Sequence, residues 1–230
     1  QKSLDARLKC VYNYKEDSKK NLLDLIDSAG IARTEVFAGD YLDEPQITII
    51  SPTRDFYESL LPKFRNKLNF HWALEALEEN SYSSKDDISD ETTLSKTLDD
   101  ATDDTSAHNQ SSIVFLLETD EKQKFLFTGD AGRDAFNHVP QTLLGKVKDV
   151  TWMKVPHHGS KHNLDSTIIK HVNPEIAYIS TEKQGKYLNR STVFALKKNG
   201  TKVYSTSQNR STIRHGAIKT REGWTKIEPM

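Results

Sequence analysis

Chemistry concentrates in "KVPHHGSKHN", residues 154–163, which holds His157, His158 and His162, three of the eight histidines in the chain. Imidazole is the commonest nitrogen ligand for zinc, and it exchanges protons near neutral pH; both tasks need a rigid backbone to aim the ring. Adjacent histidines on a bend point in different directions, so one can ligate while the other supports it or donates a proton. Read alone, the stretch is also compatible with a polar loop. A second stretch, "FLFTGDAG", ends a run of strand residues with Thr128, Gly129 and Asp130. A carboxylate at the C-terminal tip of a strand, beside a glycine, suits a metal ligand or a catalytic acid. Its alternative is a helix N-cap, a position that favours Asp. The two stretches gain from each other. Asp130 and His158 stand 28 positions apart, separated by one helix and one strand, which brings both to the same edge of one sheet.

The elements that must position them can be read in order. "DSKKNLLDLIDSAG" predicts a helix, with Asp17 or Ser18 as cap, Leu22, Leu23, Leu25 and Ile26 as apolar face and Gly30 as stop. The strand Ile47 to Ile50 ends at Ser51-Pro52, and residues 54–79 are expected to be helical in two pieces, with Phe56, Tyr57, Leu60 and Leu61 at helical spacing. "SSIVFLLE", the polar turn "TDEKQ" and "KFLFTGD" predict a β-hairpin. A helix from about Ala131 follows, then the strand "VTWMKVP", the helix "LDSTIIKHV", the strand "EIAYIS", the helix "STVFALKKNG" and the strand "TKVYST". "STIRHGAIKTREGWTKIEP" alternates like a closing hairpin. Strands alternating with helices after antiparallel hairpins imply an α/β domain with a mixed sheet.

Residues 81–107 break this pattern. Between Ser81 and Asp104 there are eight acidic residues, two lysines and almost nothing apolar, which predicts a flexible, solvated insertion. The whole chain of 230 residues carries a net charge of −1, with 35% hydrophobic and 28% charged residues. Such a balance gives no global electrostatic pull toward nucleic acid or membrane surfaces. One cysteine, Cys10, excludes an intrachain disulfide and favours a cytoplasmic address, and no apolar run is long enough for a membrane span.

The residues "NQSSIVFLLE", "KFLFTGDAG", "KVPHHGSKHN", "AYIS" and "LKKNGTKVYST" together resemble the metallo-β-lactamase fold. The likeness is to the branch that contains the hydrolase domain of the competence protein ComEC and its free-standing relatives. "LLDLIDSAGIARTEVFAGD…ITIISP" resembles the segment that follows the family's first metal motif. The resemblance implies an αββα sandwich with a two-metal site, zinc as the usual ion and manganese as another. It makes Asp130 the bridging carboxylate and His158 a ligand of the second metal, with His157 as ligand support or proton donor. His108, or Asn109 beside it, falls where the family carries a further ligand or an asparagine. Ser160, Lys161 and Asn109 become candidates to touch a phosphate. The implied activity is attack of metal-activated water on a phosphodiester in nucleic acid or a nucleotide.

The family's His-x-His-x-Asp-His signature is absent. His71, His138, His171 and His215 are isolated and expected to be structural, and Arg190 stands near the place of another family histidine. Gln1 opens the chain in the place of an initiator Met. The expectation is therefore a single domain over 1–230, the C-terminal two-thirds of the sandwich, incomplete at its N-terminus and inactive alone. The missing segment, or a complementing chain, would supply the remaining ligands. The competing expectation is a degenerate domain that kept the fold and serves for binding or scaffolding.

Overall fold

A computed structural model describes residues 22–65, 97–181, 188–208, 213–214, 222 and 225–230. The chain divides into two compact units, Gln1–Val36 and Phe37–Met230. In the first, helix α1 (Leu22–Ser28) ends as its sequence predicts. Gly30 takes φ +66°, and the Ile31 N–H reaches back to the Ile26 carbonyl at 3.1 Å, a glycine-terminated stop. Leu25, expected on an apolar face, is 52% exposed. The expected caps Asp17 and Ser18 lie outside the described residues.

The second unit is α/β. Its described elements run β1 (Tyr41–Leu42), β2 (Ile47–Ser51), α2 (Arg54–Arg65), α3 (Ala107–Gln110), β3 (Val114–Glu118), β4 (Lys124–Phe127), α4 (Arg133–Asn137), α5 (Gln141–Leu144), β5 (Trp152–Lys154), α6 (Ser166–Val172), β6 (Ile176–Ile179), α7 (Arg190–Lys198) and β7 (Lys202–Ser205). The seven strands form one sheet in sequence order. Neighbours from β1 to β4 are antiparallel, and those from β4 to β7 are parallel. The change of direction follows from the connections. A short polar turn joins β3 to β4, whereas helices bridge each parallel pair, as a crossover requires.

Strand alternation divides the sheet into two faces. Leu116, Leu126, Met153, Ala177 and Val203 are consecutive register partners, and each is at most 1% exposed. They join Ala135, Phe136, Ile168, Ile169 and Leu196 from the helices in one core; burying a large apolar side chain there contributes roughly 1.5–3 kcal/mol. The opposite face carries a ladder of rings. Phe115 stacks on Phe127 at 4.7 Å, Phe127 meets Trp152 at 5.1 Å, Trp152 meets Tyr178 at 5.8 Å, and Tyr178 stacks on Tyr204 at 5.1 Å.

Two expectations differ from what is seen. The C-terminal strands β8 (Ile213–Arg214) and β9 (Thr225–Lys226) pair in parallel, so they are not the expected hairpin. Alternation sets which face a side chain takes and leaves strand direction open. The end of the acidic stretch, residues 97–107, is packed, while 81–96 lie outside the described residues. Leu98 is fully buried, and Arg133 holds this segment by donating to the carbonyls of Leu98 at 2.7 Å and Ala101 at 2.9 Å. The second expected helical piece after Arg65 also lies outside the described residues. Among the described residues, no helix is long and apolar enough to cross a membrane.

Candidate functional site

The site grows from the C-terminal ends of the two adjacent parallel strands β4 and β5. Beyond β4 the chain turns through Gly129 at φ +55°. A Cβ there would lie 2.9 Å from the Ser112 Cβ, so only glycine lets the two segments approach this closely. The Thr128 hydroxyl donates to the Lys154 carbonyl at 2.7 Å and ties the two strand ends together. Asp130 is placed by this turn, its N–H donating to the Ser112 hydroxyl at 3.2 Å. It does not cap the following helix: α4 begins after Gly132, with no side-chain cap. The cap alternative for Asp130 therefore falls. Its carboxylate instead meets the Lys154 ammonium at 3.3 Å, and the same ammonium donates to the Gly129 carbonyl.

Beyond β5, Pro156 opens a single tight turn, Pro156–Gly159, in which both histidines adopt left-handed backbone. His157 has φ +41° and His158 φ +56°, followed by Gly159 at φ +89°. Non-glycine residues held so cost about 1–3 kcal/mol each and persist where surroundings over-determine them. The Gly159 position is such a constraint, since a Cβ there would lie 3.0 Å from the Ile179 Cγ2. The two rings diverge. The His158 Nδ1 bonds to the Ser180 carbonyl past the end of β6, which in the neutral ring leaves the lone pair on Nε2. The His157 Nδ1 faces the Asp104 Oδ2 at 3.2 Å.

Asp104 gathers the loops. Its Oδ1 accepts the Ser106 N–H at 2.8 Å. Its Oδ2 accepts from the Asn109 and Asn163 amides, each at 2.9 Å, as well as from His157. The Asn163 side chain, fully buried, also donates to the Asp130 carbonyl at 3.2 Å and so joins the carboxylate hub to the β4 turn. Burial alone would raise the Asp104 carboxyl, but the hydrogen bonds from His157, Asn109, Asn163 and the Ser106 N–H outweigh it and hold it below its ordinary 3.8. Burial alone would lower His157; the Asp104 hydrogen bond and charge, with Asp130 adding, lift the ring above its ordinary 6.5.

Of the residues expected at the site, Asn109 and His157 meet on Asp104, while Asp130 and His158 lie on the same sheet edge with other partners. His108 packs its ring edge-on to Phe64 at 4.6 Å. The Ser160 hydroxyl is buried and accepts the His162 N–H at 3.2 Å, within its own loop. The Lys161 carbonyl accepts from Arg133 at 3.0 Å and its side chain is partly exposed. The isolated histidines are held by packing: His138 stacks on Phe56 at 4.1 Å, and the His171 Nε2 meets the Leu144 carbonyl at 3.0 Å. His71 and His215 lie outside the described residues. Arg190 opens α7 at the surface, behind the cap Asn189.

Asp104, Asn163 and Lys154 were not anticipated. The short spacing in "KHN" could have flagged Asn163, but nothing local marks Asp104 among the seven other acidic residues of its stretch. As a metal site the described residues offer Asp130 and His158 as donors and fall short of a full set. Among them, no group of three or more His, Cys, Asp or Glu is placed to hold a metal ion.

Comparison with known proteins gives one distant likeness. A stretch of 128 residues is 30% identical to ComE operon protein 3 of Bacillus subtilis (strain 168), covering 55% of this chain and 16% of that protein's length. No family model matches the sequence, and no solved structure matches it.

Proposed function

We propose that this chain carries one edge of the active site of a metal-dependent hydrolase of the metallo-β-lactamase type, built as an αββα sandwich and acting on phosphodiesters of nucleic acid or nucleotides. The observation that carries the reading is the left-handed His157–His158 pair held beside Asp130 at the ends of two parallel strands. In open α/β sheets that edge is where ligands bind, and strain in consecutive non-glycine residues gathers at functional sites. The likeness to ComE operon protein 3 agrees with the resemblance of the motifs to the ComEC branch, and it is that resemblance which implies a nucleic-acid substrate.

In this reading Asp130 and His158 would hold a zinc or manganese ion together with ligands from outside the described residues, and His108 is the third candidate to substitute. Such an ion lowers the pKa of bound water and neutralises charge that develops on a phosphate. His157 serves as the proton donor, because its contact with Asp104 favours the charged ring. Asn109 and Lys161 are the polar groups offered to a phosphate, and Ser160 shapes the loop that presents Lys161. A cytoplasmic setting suits a chain with one cysteine.

The Lys154–Asp130 ion pair favours a second reading, since it sets an ammonium against the carboxylate that a metal would need. In that reading the fold is retained for binding or scaffolding and the chemistry is lost. Elemental analysis after dialysis against zinc or manganese decides between them, on this chain and on Asp130→Ala, paired with hydrolysis of a chromogenic phosphodiester. Metal in the parent chain and none in Asp130→Ala supports the hydrolase. An unchanged fold with no metal in either, also after the segment that carries the remaining ligands is supplied, supports the binding module.

A further inference from the structure

Asp104 comes from the end of an acidic run and reaches across the fold to a histidine 53 positions away. Its carboxylate is 10% exposed. It is itself fixed from three sides, by the Ser106 N–H, by Asn109 on α3 and by Asn163 beyond the histidine turn. An ionised carboxylate accepts hydrogen bonds and cannot donate them. The ring nitrogen faces this oxygen at 3.2 Å, nearer than the Asn109 amide nitrogen at 3.5 Å, and so carries the proton, because a lone pair there would meet another lone pair. The backbone of His157 is pinned independently by its left-handed conformation and by its N–H, which donates to the Gly129 carbonyl at 3.3 Å. The backbone thus settles where the ring stands, and the carboxylate settles how it turns and which nitrogen is protonated.

We propose that Asp104 is a positioning residue for His157: it accepts the Nδ1 proton and so fixes the tautomer and aim of the ring, leaving Nε2 as the nitrogen that exchanges a proton with substrate. The role in proton exchange rests on the hydrolase reading above; the tautomer does not. A carboxylate that orients a histidine by its Nδ1–H is a device that unrelated hydrolases share, and replacing it by an amide there keeps the geometry while reversing the tautomer. Here the informative change is Asp104→Ala, because an amide at 104 would keep its oxygen toward the three donors that meet on Oδ2. Alanine leaves Nδ1 without an acceptor, and the Asn109 amide nitrogen, 3.5 Å from that ring nitrogen, then favours a lone pair on Nδ1 and the proton on Nε2.

The test is nitrogen-15 NMR of the imidazoles in the full, uniformly labelled chain at alkaline pH, where the rings are neutral, with His157 assigned by its loss in His157→Gln. The expected result is a proton on Nδ1 of His157 in the parent chain and on Nε2 in Asp104→Ala, with the sheet amide signals unchanged. A proton on Nε2 in the parent chain overturns the proposal, as does an Nδ1 proton that persists in a folded Asp104→Ala. Should that variant fail to fold, the parent spectrum decides alone. A chain that binds no metal and hydrolyses nothing, yet shows the Nδ1 proton, removes the hydrolase reading and leaves the assignment standing.

Discussion

At the scale of single residues, Asp104 and His157 tie stability to pH. His157 has its pKa raised on folding, so its contribution is fully present below the ordinary 6.5 and disappears as pH rises through the folded value. Asp104 has its pKa lowered, so its contribution is present above the ordinary 3.8 and disappears as pH falls through the folded value. The pair together stabilises most between those two ordinary values. Thermal melts of the parent chain and of His157→Gln, taken from acid to alkaline pH, should draw closer as pH rises past the folded histidine pKa. Curves that stay a constant distance apart would show that the pair does not titrate as described. A second prediction concerns Gly129. Substitution by Ala forces a side chain into left-handed backbone and against Ser112, and should cost about 1–3 kcal/mol in denaturant unfolding. An equal midpoint for parent and Gly129→Ala would contradict the close approach.

At the scale of elements, Arg133 is the joint between the end of the acidic run and the loop after the histidine turn. The buried guanidinium donates to the carbonyls of Leu98, Ala101, Lys161 and Leu164 and pairs with Asp103 at 3.0 Å. Replacing it with Met would strand several of these carbonyls, and a stranded buried group costs about 1–3 kcal/mol. Arg133→Met should therefore lower the melting temperature and speed amide exchange in 97–104 more than in the central strands. Equal exchange in both regions would refute the joint. The sequence made much of this scale legible. Alternation and apolar runs marked β2 to β7, and glycine and proline marked the stops. It also brought Asp130 and the histidine turn to one sheet edge, because strand ends follow from local pattern. Asp104 was hidden for the opposite reason: its partners stand 5, 53 and 59 positions away, and its neighbours are chemically alike. Lys154 was hidden too, because a lysine closing a strand carries no local sign that it will fold back onto a carboxylate. The parallel pairing of β8 with β9 was out of reach, since alternation is the same for either direction.

At the scale of the whole molecule, the sheet has two faces of different character, one packed under helices and the other lined by rings. The ladder from Phe115 through Phe127, Trp152 and Tyr178 to Tyr204 crosses five strands, with neighbouring centroids between 4.7 and 5.8 Å. Burial pushes the Tyr178 hydroxyl up to about 12, with the Tyr204 charge adding, so this phenol should resist ionisation until strongly alkaline pH in a spectrophotometric titration. Chromophores held this close and in fixed orientation also share their excitations. The sheet thus contains its own optical gauge: light absorbed by Tyr178 should emerge as Trp152 emission, and the near-ultraviolet circular dichroism should carry a coupled band that Trp152→Leu abolishes. Any event that slides one strand against the next would be visible in that band, without a label, before the molecule comes apart.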